Sequence, residues 1–127
     1  MKKTYAALSI LPAILLWPHL SQALAVSDIQ LNSHLNQKLS AEVQLLSVTS
    51  EELDQLNMRI TETDPDTGQR HTSTGLTVSI SQSSSGQHYL RILSDQVIRE
   101  PIVSFSLELS WPDGRLERKY VLLIDPS

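Results

Sequence analysis

From Val103 to Trp111 the chain alternates. Val103, Phe105, Leu107, Leu109 and Trp111 are large and apolar, with Ser104, Ser106, Glu108 and Ser110 between them. Period two puts the apolar set on one side of a strand and predicts one buried face. Pro112-Asp113-Gly114 then turns the chain. Proline presets the turn, and glycine accepts a positive φ without a Cβ clash. The return strand places Leu116, Tyr120, Leu122 and Ile124 on one face. Matching the two faces sets Trp111 opposite Leu116, Leu107 by Tyr120, Phe105 by Leu122 and Val103 by Ile124.

The same reading finds shorter strands upstream. Asp28 to Leu31 is a first strand, and Leu39 to Leu45 alternates cleanly as a second, with Asn36-Gln37-Lys38 as the turn between them. Met58 to Thr61 and Leu76 to Ser81 follow, the latter with Leu76, Val78 and Ile80 inward. Ser83 to Gly86 is a hairpin turn leading into Tyr89 to Leu93. About seven strands with turn signals between them predict a small antiparallel β-sandwich of the Ig-like kind.

One helical signal interrupts the strands. Thr49-Ser50-Glu51-Glu52 is a capping box, in which Thr49 and Glu52 satisfy each other's backbone N–H. The glutamates suit the positive end of the helix dipole. Leu53 and Leu56 share a face, which predicts a two-turn helix from Ser50 to Asn57. Glu62 to Gly75 is polar and holds Pro65, Gly68 and Gly75, so it reads as a mobile loop.

The first residues change the picture of what is being folded. Lys2 and Lys3 precede an apolar run from Ala6 to Trp17, and Ala23-Leu24-Ala25 is a small-x-small triplet. This predicts a secretory leader over residues 1–25, with a mature domain from Val26 to Ser127. The run falls short of the ~20 residues that span a bilayer, so no stable membrane insertion is expected after cleavage. A chain near that length buries about two thirds of its unfolded surface, enough for one core.

Charge and cysteine usage exclude several functions. Without Lys2 and Lys3, 8 basic and 14 acidic side chains leave a net charge of −6. That balance argues against nucleic acid and anionic lipid as partners, and gives no attraction to an acidic polymer. There is no cysteine, hence no disulfide, thiolate metal site or cysteine nucleophile.

The remaining chemistry is sparse. His34, His71 and His88 lack metal-ligand spacing, and Asp64-Pro65-Asp66-Thr67-Gly68 has only the opening of a calcium loop. Turn chemistry explains that segment better. No serine sits in a nucleophile elbow. Glu51 and Glu52 are adjacent and point apart, so capping suits them better than acid–base work. The expectation is a protein without catalytic residues, cofactor or metal. Trp111 reads as a core anchor, with an exposed contact residue as the alternative. Arg99 and Glu100 read as a local ion pair before the Pro101 break, or as charge presented to a partner.

The end of the chain resembles the N-terminal periplasmic domain of the FimV/TspA family, envelope proteins tied to type IV pilus assembly. Arg99-Glu100-Pro101, Trp111-Pro112-Asp113-Gly114-Arg115-Leu116, Tyr120 and Asp125-Pro126 match the family pattern in order. Leu35 to Glu42 and Leu45 to Leu53 resemble the front of that domain. The resemblance implies a non-catalytic periplasmic interaction module of a Gram-negative envelope. It marks Arg99, Glu100, Pro101, Trp111, Pro112, Gly114, Arg115, Tyr120, Asp125 and Pro126 as structural or partner-binding positions. FimV-type proteins continue into a linker, a LysM module and a membrane helix, whereas this chain stops at Ser127. It therefore reads as a stand-alone form with no direct peptidoglycan binding, whose partner is an unnamed periplasmic or envelope protein. A soluble modulator competing with full-length relatives is one alternative, and an enzyme of unknown type is another.

Overall fold

A computed structural model describes residues 24 to 126. The leader reading over residues 1–25 lies outside them, apart from Leu24 and Ala25. Two antiparallel sheets face each other, as the alternation predicts. The first contains β1 (Ala25–Val26), β2 (Gln30–Leu31), β3 (Lys38–Leu46), β6 (Leu76–Gln82) and β7 (His88–Val97). Its order is β1-β3-β7-β6, with β2 also on β3. The second has the order β5-β4-β8-β9, made of β4 (Asn57–Thr63), β5 (Arg70–Thr72), β8 (Ile102–Trp111) and β9 (Gly114–Leu123).

The core is the meeting of the inward faces. Leu39, Ala41, Val43 and Leu45 of β3, with Leu90 and Ile92 of β7, pack against Ile60, Phe105, Leu107, Leu109, Tyr120 and Leu122 of the other sheet. All are buried, because each lies at every second position of its strand.

The strands exceed the predicted number, and the reasons are local. β1 and β2 are two pieces of one edge. The break falls at Ser27, whose Oγ accepts from Gln44 N–H at 2.9 Å. That side-chain bond stands in for a step of the ladder, since the Ser27 carbonyl accepts from Tyr120 instead. β5 lies inside the stretch read as a mobile loop. It pairs with β4 through Thr61 opposite Thr72 and Thr63 opposite Arg70.

The terminal hairpin keeps the predicted faces but slips by two residues. Trp111 pairs with Gly114, Leu109 with Leu116, Leu107 with Arg118 and Phe105 with Tyr120. A shift of two preserves every face, so face matching could not decide it. Only Pro112 and Asp113 remain in the turn. Gly114 is not among the residues with positive φ. Its lack of a side chain serves a different purpose: a Cβ there would sit 3.0 Å from Trp111 Cζ2. The indole needs that space.

The capping box forms as predicted, with Thr49 N–H on Glu52 Oε1 at 3.0 Å and Glu52 N–H on Thr49 Oγ1 at 3.1 Å. The helix, α1 (Ser50–Asp54), is shorter than expected, because Asn57 already pairs with Ser110 in β4. Leu53 and Leu56 pack against the core.

A bulge shapes the start of β3. Lys38 pairs with Val97 but Ser40 with Leu93, so the register shifts around Leu39. Leu39 N–H is satisfied by buried Ser94 Oγ at 2.7 Å, and that hydroxyl donates to Gln96 C=O at 2.7 Å. One hydroxyl repairs both sides of the interrupted ladder.

Candidate functional site

The ten marked positions do not converge. Trp111, Pro112, Gly114 and Arg115 lie at one end of β8 and β9. Arg99, Glu100, Pro101, Asp125 and Pro126 lie at the other. β8 has ten residues, which at about 3.3 Å per residue puts roughly 30 Å between the groups. Tyr120 sits between them, inside the core.

At the first end Trp111 is half-buried and packs against the core. It shares a shallow recess with Leu56, Asn57 and Pro112. Arg115 is exposed.

The second end is stitched by backbone. Asn36 N–H donates to Ile98 C=O at 2.7 Å, and Ile98 N–H donates to Gln37 C=O at 2.9 Å. Ile124 N–H reaches Pro101 C=O, and Leu35 N–H reaches Asp125 C=O, both at 2.8 Å. Asn36 turns the chain there at φ 66, which asparagine tolerates. Pro101 and Asp125 thus act through their carbonyls, which hold three segments of chain together.

Arg99 and Glu100 do not pair with each other. Among the described residues, the ion pairs involve Arg59, Arg70 and Arg118 with Glu108, Glu117 and Asp28. The Pro101 break leaves both Arg99 and Glu100 exposed. They rim a groove of about 530 Å³ lined also by Leu76, Val97 and Ile102. Ile102 continues this groove onto the outer face of the second sheet. It is 58% exposed and pairs with Leu123, itself 71% exposed. Val121, 57% exposed, lies two residues before Leu123 on the same side. Three apolar side chains thus face water next to β9, which among the described residues is the last strand of its sheet and offers an open edge. Alternation alone could have found them. In Val121-Leu122-Leu123-Ile124 the inward pair is Leu122 and Ile124, so Val121 and Leu123 are apolar on the solvent side.

The inner side of β9 grips the chain's beginning. Tyr120 O–H donates to Ser27 C=O at 2.9 Å. Arg118 donates to Val26 C=O at 3.0 Å and to Asp28 Oδ1 at 2.6 Å, and its guanidinium lies 5.3 Å from the Tyr120 ring centre. Burial pushes the Tyr120 phenol above its usual range.

Further along the outer face, charges line up across the strands. Glu108 stands directly opposite Glu117, a repulsive arrangement by itself. Arg59 bonds Glu108 at 2.7 Å, Arg70 bonds it at 3.0 Å, and Arg70 also bonds Glu117. Thr61 Oγ1 donates to Glu108 at 3.3 Å. The bond from Arg59 lowers the Glu108 carboxyl below its ordinary 4.5, with Arg70 and Thr61 adding to it against a cost of burial. The folded state therefore favours the carboxylate. This contribution is complete above pH 4.5 and is lost as pH falls through the lower native value. Urea midpoints measured over that range should fall less steeply for Glu108→Gln than for the unaltered protein.

Among the described residues the histidines sit on separate elements, on the loop before β3, on β5 and at the start of β7. Among the described residues no three His, Asp or Glu side chains gather as metal ligands would. Asp64 Oδ1 accepts from Asp66 N–H at 2.8 Å, and Gly68 closes the turn at φ 72, so this segment is a turn held by its own side chain. Among the described residues no helix is long and apolar enough to cross a membrane.

Comparison with known proteins agrees with the fold. The FimV N-terminal domain, described as an Ig-like domain, matches residues 24–127. The motility hub protein FimV from two strains of Pseudomonas aeruginosa is 30% identical over 122 residues, in each case 93% of this chain. The chain spans about 13% of the length of those relatives. The chain belongs to the FimV N-terminal domain family.

Proposed function

We propose that this domain is a non-catalytic protein-interaction module of the periplasm, acting in type IV pilus and envelope assembly. The observation that carries the reading is the exposed apolar cluster of Ile102, Val121 and Leu123 beside the open edge of β9. Water-facing apolar side chains next to unpaired backbone N–H and C=O groups suit an extended segment of a partner protein. Its main chain adds to the sheet while its side chains cover the cluster. Arg99 and Glu100 at the groove rim add charge that such a segment can read. Family membership supports the setting, since the relatives carry the name motility hub protein. The acidic balance of the chain gives no attraction to the anionic cell wall.

The test uses Leu123→Lys with Val121→Lys, both at exposed positions that leave the core intact. Deleting the gene should reduce surface pili or motility, and a periplasmic copy of the unaltered protein should restore them. The double variant should fold normally and fail to restore them. Normal pili in the deletion strain would overturn the pilus role, and full rescue by the folded double variant would overturn the β9 surface. The purified protein should also stay in solution when isolated cell-wall sacculi are sedimented.

A further inference from the structure

We infer that the leader is cut between Ala23 and Leu24, so that the mature chain begins at Leu24. The peptidase of the export pathway selects small side chains one and three residues before the bond it cuts. Two overlapping triplets meet that requirement, Ser21-Gln22-Ala23 and Ala23-Leu24-Ala25. The fold separates them. Leu24 is 4% exposed and belongs to the core. Ala25 and Val26 form β1, opposite Leu46 and Leu45. The Val26 carbonyl accepts from Arg118.

A cut after Ala25 would remove a buried leucine and half of β1. A cut after Ala23 keeps both the strand and the leucine. The step is a hydrolysis. Water adds across the Ala23–Leu24 amide, and the C–N bond breaks. The hydroxyl goes to the Ala23 carbonyl as its carboxylic acid, and the proton goes to the Leu24 nitrogen. The enzyme acts before folding, because Leu24 is buried afterwards.

The full chain is expressed in a Gram-negative host, and the periplasmic protein is read by intact mass and N-terminal sequencing. The expected first residue is Leu24. A start at Val26, or intact protein from Met1, overturns the inference. Ser21→Leu blocks the position three before the inferred bond and should abolish the start at Leu24, leaving uncut protein or a cut moved to the intact second triplet, after Ala25. Ala25→Leu lies beyond that bond and should be cut as before, after Ala23. The opposite pattern again overturns it. The packing argument has its own measurement. Chains 24–127 and 26–127 are purified and unfolded in urea. The longer chain should unfold at a higher urea concentration, and equal midpoints would remove the reason for preferring Leu24.

Discussion

Phe105→Ala lowers the free energy of unfolding by about 3–5 kcal/mol. Phe105 is the only phenylalanine of the chain and is 2% exposed. It sits mid-strand on β8, directly opposite Tyr120, with the ring centres 5.8 Å apart and the planes tilted by 45°. Truncation removes the transfer energy of the ring and the contact with Tyr120, and it leaves a void in a close-packed core. Small domains hold only about 5–15 kcal/mol in total, so the variant is marginal at best. Urea unfolding followed by circular dichroism reads the loss. A loss under about 1 kcal/mol would show that the ring is not a core element. Ile102→Ala, on the same strand but facing water, should stay within about 0.5 kcal/mol.

Tyr120 carries a second large effect, separable into two parts. Tyr120→Ala should cost about 3–5 kcal/mol, as for other buried aromatic residues. Tyr120→Phe keeps the ring and removes only the hydrogen bond to Ser27 C=O, at a cost of about 1–2 kcal/mol. The phenylalanine variant has a further signature in alkali. The Tyr120 phenol ionises above its usual value of 10.0, because burial disfavours the phenolate. The unfolded chain loses that proton first, so the stabilisation is full below pH 10 and declines as pH rises through the native value. Unfolding midpoints above pH 10 should therefore drop more for the unaltered protein than for Tyr120→Phe. Equal slopes would contradict the buried phenol.

The faces of the strands were legible in the sequence, because burial acts on every second residue and leaves its mark directly. Register was not. Trp111 opposite Gly114 and Trp111 opposite Leu116 bury the same side chains, and what decides between them is the space the indole needs over Gly114. β5 was invisible because Arg70, His71 and Thr72 are all polar and exposed. Its pairing is held by the backbone and by the reach of Arg70 to Glu108 and Glu117, contacts spanning 38 and 47 residues. Ser94 gave no signal either, since its use depends on a bulge in a strand more than fifty residues away. The marked positions near Arg99 and Asp125 were legible by resemblance. The physical task of Pro101 and Asp125, holding chain ends through carbonyls, belongs to the backbone and leaves no trace in side-chain identity.

The grip of β9 on the first residues has a kinetic consequence. Val26, Asp28 and Ser27 find their partners on β9 at sequence separations of 92, 90 and 93 residues. Contacts of such range close long loops and are formed only after the entropy of closure has been overcome. Topologies dominated by distant pairings fold in milliseconds to seconds, far more slowly than helical bundles of equal size. The clasp is thus expected among the last contacts to form, with little presence in the folding transition state. Weakening it should leave the rate of folding nearly unchanged and speed unfolding, so the clasp governs how long the native domain persists once formed.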